Sequence, residues 1–145
     1  MTDQGAAARP VPRPDELTAP FWEAAADHRL VMPRCSSCLQ LAMPPDIVCD
    51  ACGSTDPQWE WVEVSGRGVL RSWTIARQVF LPGFDEPPVI IDVELDEQPG
   101  LRLVSRLVDG PEVAADLVVG VAVQVAFDDV TSGIALPVFE LDRST

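Results

Sequence analysis

The chain has 145 residues, which suits one compact domain with a small appended module and leaves no room for a large two-domain enzyme. Its 23 acidic residues outnumber ten basic ones, all arginine, so the formal net charge is -13, and lysine and tyrosine are absent. These absences exclude a lysine Schiff base, a phosphate-loop lysine and a tyrosine acid, while the acidic balance argues against ordinary DNA binding. An autonomous enzyme would have to rely on a single histidine, His28.

Residues 1–14 contain three prolines and few bulky apolar residues, so we expect a flexible lead-in. The sequence holds no apolar run near the roughly 20 residues that a membrane-spanning helix needs, and its start lacks the apolar core of a signal peptide. We therefore expect a cytoplasmic protein without a membrane partner.

Residues 15–29 predict an N-terminal helix. Thr18 suits the N-cap position, and Phe21 and Trp22 belong to an apolar stripe at helical spacing. His28 falls at the end of this helix, where we expect an exposed side chain near the helix dipole rather than a ligand or a base.

Residues 30–57 contain all the cysteines, in a double C-x2-C pattern: Cys35, Cys38, Cys49 and Cys52. Each pair can present two thiolates from a tight turn, and two facing turns complete the tetrahedral sulfur site that Zn2+ prefers. Four protein thiolates leave zinc no open position for water or substrate, so the pattern predicts one structural Zn2+. Two disulfides and a rubredoxin-type iron remain alternatives. Thiol redox catalysis is disfavoured because no thioredoxin-like βαβ pattern is visible.

Residues 58–145 change to short alternating apolar runs separated by turn residues, which is typical of a small antiparallel barrel. The runs cover residues 68–80, 88–95, 101–107, 121–127 and 134–141, with one or two helical turns at 111–117. This order matches a five-stranded OB-fold, so the predicted class is mainly β. In the last run we expect Ile134, Leu136 and Val138 to face inward.

The charge is concentrated late in the chain, because residues 85–145 carry -10 of the total. The nearly neutral part includes a loop with three large apolar side chains, Phe80, Leu81 and Phe84, around Pro82 and Gly83. These side chains either fold back over one end of the barrel or contact a partner protein, since exposed aromatic anchors are typical of interface centres.

A second cluster combines basic and aromatic residues: Arg67, Arg71, Trp73 and Arg77. The last three are separated by even numbers of residues, so in a regular strand without a bulge their side chains would lie on the same face. The cluster is interpreted either as an ion-paired surface stripe or as a contact for CoA phosphates or an acidic partner. Single-stranded nucleic acid would use the same groups on an OB-fold, although three arginines on so acidic a protein make this the weaker hypothesis.

The segment FWEAAADHRLVMPRCSSCLQLAMPPDIVCDACGS, followed by GRGVLRSWTIAR, PGFDEPPVIIDVEL and LRLVSRL, resembles the DUF35 family over about residues 17–141. The resemblance implies an N-terminal helix, a rubredoxin-like zinc ribbon and a C-terminal OB-fold barrel. Several relatives have glycine after the second cysteine, where this chain has Leu39. The backbone of the first metal turn could therefore differ from that of these relatives.

The resemblance also implies a role. DUF35 proteins are associated with thiolase-superfamily enzymes and MaoC-type hydratases that act on acyl-CoA substrates, including a thiolase-like aldolase of steroid side-chain breakdown. We therefore expect a non-catalytic accessory subunit, with no catalytic residue of its own and the four cysteines as zinc ligands. The alternative function is single-stranded nucleic-acid binding by the OB-fold.

Overall fold

The fold is that of a computed structural model, in which residues 9–78 and 80–144 are described. Residues 1–8, Val79 and Thr145, which fall in the predicted lead-in, first barrel strand and C-terminal end, lie outside this part. One helix, α1 (Ala19–Ala26), precedes a two-stranded sheet of β1 (Val31–Arg34) and β2 (Glu60–Glu63). The remaining strands are β3 (Arg67–Ile75), β4 (Val89–Leu95), β5 (Arg102–Leu107), β6 (Ala122–Thr131) and β7 (Ile134–Leu141). A 3-10 helix at Pro111–Asp116 separates β5 from β6.

Helix α1 begins where the sequence predicts, with Thr18 at the N-cap, but the threonine hydroxyl does not cap the helix. The hydroxyl and the N–H of Thr18 both donate to the Asp15 carboxylate instead, at 2.7 and 2.8 Å. The helix buries Phe21 and packs against β7. None of the helices among the described residues is long and apolar enough to cross a membrane.

The two-stranded sheet carries the cysteine segment. Strands β1 and β2 pair antiparallel, with Met32 opposite Val62, and β2 follows the predicted ribbon segment 30–57. The sheet is attached to the rest of the molecule because Met32 belongs to the main hydrophobic core and Trp61 packs against it. The division of the chain into separate domains stays a prediction.

The last five strands close into a barrel in the order β3-β4-β5-β7-β6. This order and the 3-10 helix between its third and fourth strands confirm the predicted OB-fold. Strand β4 has the predicted alternation, with Val89, Ile91, Val93 and Leu95 all buried. A single parallel pair between β5 and β7, Leu107 and Phe139, closes the barrel between these strands.

Two details of the barrel prediction are wrong. Strand β3 ends at Ile75 rather than at residue 80. In β7 the predicted inward set is displaced by one residue, because Ala135, Pro137 and Phe139 are the alternating buried positions. Val138, of the opposite parity, is buried as well. Because α1 covers the outer face of β7, this strand has buried apolar residues on both faces. The alternation of its sequence therefore does not indicate which face points into the barrel.

Candidate functional site

The first cysteine turn, residues 35–40, is closed by two backbone hydrogen bonds. The Leu39 N–H donates to the Cys35 carbonyl oxygen at 2.8 Å, and the Cys35 N–H donates to the Gln40 carbonyl oxygen at 2.9 Å. Leu39 has φ +64°, in the left-handed region that residues with a Cβ rarely adopt.

The second turn, residues 49–54, repeats this geometry. The Gly53 N–H donates to the Cys49 carbonyl oxygen at 2.7 Å, and the Cys49 N–H donates to the Ser54 carbonyl oxygen at 2.9 Å. Gly53 has φ +75° at the position equivalent to Leu39. The leucine therefore takes the conformation of a glycine, and the first metal turn closes in the same way as the second.

The two turns bring four sulfur atoms together. The Sγ atoms of Cys35 and Cys52 are 3.9 Å apart, those of Cys38 and Cys49 are 3.7 Å apart, and all four lie within 4.8 Å of one another. A tetrahedron with Zn–S distances of 2.3 Å has edges of about 3.8 Å. These separations fit one metal ion and far exceed the S–S bond length of about 2.05 Å in a disulfide.

The thiols have different acidities before a metal binds. The Cys38 backbone N–H, assisted by that of Ser37, lowers the pKa of Cys35 to about 7. The Ser54 backbone N–H acts in the same direction on Cys52, but burial and the neighbouring thiols outweigh it and raise the pKa of Cys52 to about 11. A bound cation would supply the positive charge that lets all four sulfurs lose their protons.

The tip of the ribbon, residues 36–58, has few other stabilising contacts, chiefly the half-buried Leu41 and Met43 against the main core and two hydrogen bonds between the Leu41 backbone and the Gln98 side chain. Among these residues, all of which the structure describes, only Pro45, Cys49 and Pro57 are buried. Such a segment cannot offset its loss of conformational entropy by apolar burial. The four-sulfur site is therefore suited to a structural role.

The ribbon tip also exposes large apolar side chains beside the sulfur site. Leu39, next to Cys38, is 62% exposed, and Ile47, two residues before Cys49, is 77% exposed. Val48 is exposed as well. Sequence reasoning did not single out Ile47 and Val48, although apolar residues in a short metal loop have few places to be buried.

The loop after β3 divides into two parts. Phe80 and Leu81 are 82% and 56% exposed. Phe84 is half-buried, and the Arg9 guanidinium lies 5.6 Å from the centre of its ring. The half-buried Phe84 is consistent with a loop that folds back on the molecule, whereas the side chains of Phe80 and Leu81 are exposed to solvent.

The predicted basic and aromatic cluster is not one surface. Arg71 pairs with Glu94, with Nη2 and Oε1 2.5 Å apart, and Trp73 packs against the barrel core. Arg67 begins β3 and Arg77 lies beyond its end, so their backbones are separated by roughly 30 Å of extended chain. The register also shifts between Leu70 and Ser72, which removes the simple parity argument.

His28 lies at the end of α1 as predicted, with its side chain directed to the barrel. Its Nε2 atom is 2.8 Å from Asp129 Oδ1, and its ring stacks on Phe127 with centroids 5.1 Å apart. These contacts attach the end of α1 to β6, so His28 helps to position the helix against the barrel.

Comparison with known proteins matches both halves of this architecture. Residues 22–58 match the family described as ChsH2, rubredoxin-like zinc ribbon domain, and residues 61–128 match ChsH2, C-terminal OB-fold domain. The solved Ltp2-ChsH2(DUF35) aldolase contains a chain 35% identical to this one, with a TM-score of 0.77, covering 90% of this chain and 98% of that chain. The chain belongs to the DUF35 family. Its four cysteines are thus the sulfur site of a DUF35 zinc ribbon.

Two further relatives extend the comparison. A probable enoyl-CoA hydratase alpha subunit of Thermomonospora curvata is 38% identical over 134 residues, which cover 92% of this chain. The matched region is 40% of that protein, so this DUF35 chain spans about two fifths of its length. A DUF35 protein of unknown function from Sulfolobus solfataricus is 15% identical with a TM-score of 0.57, covering 88% of this chain and 86% of that one, which shows a shared fold alone.

Proposed function

We propose that this chain is a non-catalytic subunit that binds a thiolase-superfamily enzyme, a thiolase or a retro-aldolase, and supports its action on acyl-CoA substrates in the cytoplasm. The observation that carries the proposal is the similarity to the ChsH2(DUF35) chain of a solved aldolase, over nearly the whole of both chains. The bond-making or bond-breaking chemistry would belong to the partner. Breakdown of a steroid or lipid side chain is the pathway we favour.

One Zn2+ bound by Cys35, Cys38, Cys49 and Cys52 would be the structural cofactor of this subunit. The sulfur spacing fits the metal, and four thiolates complete its coordination. Zinc would hold the ribbon tip in the shape that presents its exposed apolar side chains. The metal would therefore act on partner binding through the fold of the tip.

Two apolar surfaces are the proposed docking sites. One is the ribbon tip with Leu39 and Ile47, and the other is the loop with Phe80 and Leu81. Both lie in the part of the sequence with almost no net charge, and aromatic and aliphatic anchors on such surfaces are typical of interface centres. Phe84 would support the loop from its half-buried position.

The arginines of the first barrel strand are proposed as secondary contacts. Arg67, which begins β3, and Arg77, which lies two residues beyond its end, are exposed and suit an acidic partner group or a CoA phosphate. Arg71 and Trp73 would contribute less directly, because Glu94 and the barrel core already engage them.

Co-purification tests this function. We would co-express the chain with a thiolase-superfamily enzyme from the same genome and measure complex formation and acyl-CoA turnover. We expect a stable complex with higher turnover than the enzyme alone. Replacing both Phe80 and Leu81 by Asp should weaken the complex at least about 100-fold, because each change places a charge in an apolar contact.

The matched control replaces Val118 and Val119 by Asp, since these valines are equally exposed but lie outside both docking surfaces. The control variant should bind like the wild type. Absence of a complex and of any effect on turnover would refute the proposed function, and equal losses in both double variants would refute the assigned loop surface.

A further inference from the structure

A cavity of about 470 Å³ lies between α1 and the outer side of the barrel, away from the sulfur site. Phe21 and Trp22 of the helix form one wall. Residues of three barrel strands and the ribbon loop form much of the remaining apolar lining: Met43, Ile90, Leu103, Leu136 and Val138. The volume is within the range of about 300–1,000 Å³ that small-molecule sites occupy.

Two arginines are the charged groups of this lining. Arg9 and Arg106 each donate from Nη2 to the same atom, Asp128 Oδ2, at 2.8 and 2.7 Å. Within residues 9–78 and 80–144, neither guanidinium makes another hydrogen bond, so each retains donors for a ligand.

A polar cavity of about 390 Å³ adjoins the apolar one. The two share Arg9, Phe84, Pro88 and Arg106, so the arginine pair lies where the apolar space meets the polar space. Asp85 and Glu86 line the polar cavity. Their charges disfavour a polyanionic head group, while the remaining N–H donors of Arg9 and Arg106 can hydrogen-bond one carboxylate.

We infer that this cavity binds an amphipathic monocarboxylic acid, with its apolar body beside Trp22 and Leu103 and its carboxylate hydrogen-bonded to Arg9 and Arg106. Guanidinium groups are suited to this contact because their planar donors match the two oxygens of a carboxylate. The inference goes beyond the proposed function, since the site lies within the chain itself and requires no partner enzyme.

The first test titrates the purified full-length chain with decanoate and follows calorimetry and the fluorescence of the tryptophans. We expect saturable binding of one decanoate per chain. Decanol, which has the same apolar body without charge, should bind about tenfold more weakly because it lacks the charge-assisted hydrogen bonds. Decanoyl-CoA should also bind more weakly than decanoate, since its phosphates would meet the acidic wall.

Variants locate the site. Leu103→Trp fills the cavity and should abolish binding of both decanoate and decanol. Arg106→Gln should weaken decanoate about tenfold and leave decanol unchanged, while Arg9 still pairs with Asp128. Val118→Trp adds the same ring at an exposed position outside the cavity and should change neither affinity. Circular dichroism of each variant verifies that the barrel is folded.

The inference is overturned if decanoate does not bind, if decanol binds as tightly as decanoate, if decanoyl-CoA displaces bound decanoate as effectively as decanoate itself, or if Arg106→Gln leaves the decanoate affinity unchanged. Binding that appears only after residues 1–8 are deleted would also overturn it, because the chain itself would then occupy the cavity. Co-purification with the partner enzyme is measured separately, so failure of either proposal is recognised independently of the other.

Discussion

The barrel and the ribbon tip of this chain are stabilised in different ways. The barrel encloses a continuous apolar interior in which Leu70, Val93, Val123 and Phe139 are completely buried. The ribbon tip, residues 36–58, supplies three of the four sulfur atoms, with Cys35 at its base as the fourth, and buries little apolar surface. One region therefore depends on the hydrophobic effect, while the other needs a metal to fix its backbone.

The difference has a practical consequence. The strands at the base of the ribbon, β1 and β2, belong with the barrel because Met32 of β1 is part of its core and Trp61 of β2 packs against it. Only the tip depends on the sulfur site. A change at the metal should therefore unfold the tip and spare the barrel, while a change in the core should lower the stability of the whole molecule.

The largest expected effect follows from removing a metal ligand. In the Cys49→Ser chain we expect zinc to fall from about one ion per chain to near zero, since three thiolates bind it far more weakly. The tip should become sensitive to proteases within residues 36–58, while the far-ultraviolet signal of the barrel persists. Metal analysis and mapped proteolysis measure this. Ser37→Ala, an exposed change in the partner turn, is the control, and a Cys49→Ser chain that retains its zinc would contradict the prediction.

A smaller but global effect is expected from the core. Leu70→Ala should lower the free energy of unfolding by about 2–5 kcal/mol, because it leaves a cavity at a position with no exposure. Urea denaturation at constant zinc concentration measures the change. The exposed Val108→Ala serves as the comparison and should change stability by less than about 0.5 kcal/mol. Loss of zinc from folded Leu70→Ala would argue against separate stabilisation of the two regions.

The two cysteine turns provide a finer test. Leu39→Gly should stabilise the ribbon tip by about 1 kcal/mol, because it relieves the cost of φ +64° for a residue with a Cβ. Gly53→Ala should destabilise the tip by a similar amount. A methyl group on Gly53 meets no atom within 4 Å, so the backbone conformation alone would cause the loss. Chelator-induced zinc release measures both, and effects of the same sign would refute the equivalence of the turns.

The smallest effect concerns the barrel surface. The hydrogen bond from Arg71, helped by the Gly100 N–H, lowers the pKa of Glu94. A carboxyl whose folded pKa is depressed stabilises the fold above its unfolded pKa of about 4.3, and this contribution is lost as pH falls through the folded pKa. The free energy of unfolding should therefore drop more between pH 7 and pH 3 in the wild type than in Glu94→Gln. Glu112→Gln, at an exposed carboxylate, should behave like the wild type.

The sequence determined the features that depend on local spacing. The double C-x2-C pattern predicts the sulfur site because each of two tight turns presents two thiolates. The alternation of apolar and polar residues in β4 predicts its inner face because the other face of the strand is less completely buried. The approximate position of α1 and the succession of the barrel strands along the chain follow from the same kind of local pattern.

Tertiary structure decided what depends on contacts between distant segments. Strand β7 hides its inner face from a pattern argument because α1 buries Val138 on the other side. The loop with Phe80 and Phe84 divides between exposure and burial because Arg9 lies over only one of the two rings. The pairing of Arg9 and Arg106 on Asp128 joins residues up to 119 positions apart, a juxtaposition that no local spacing encodes.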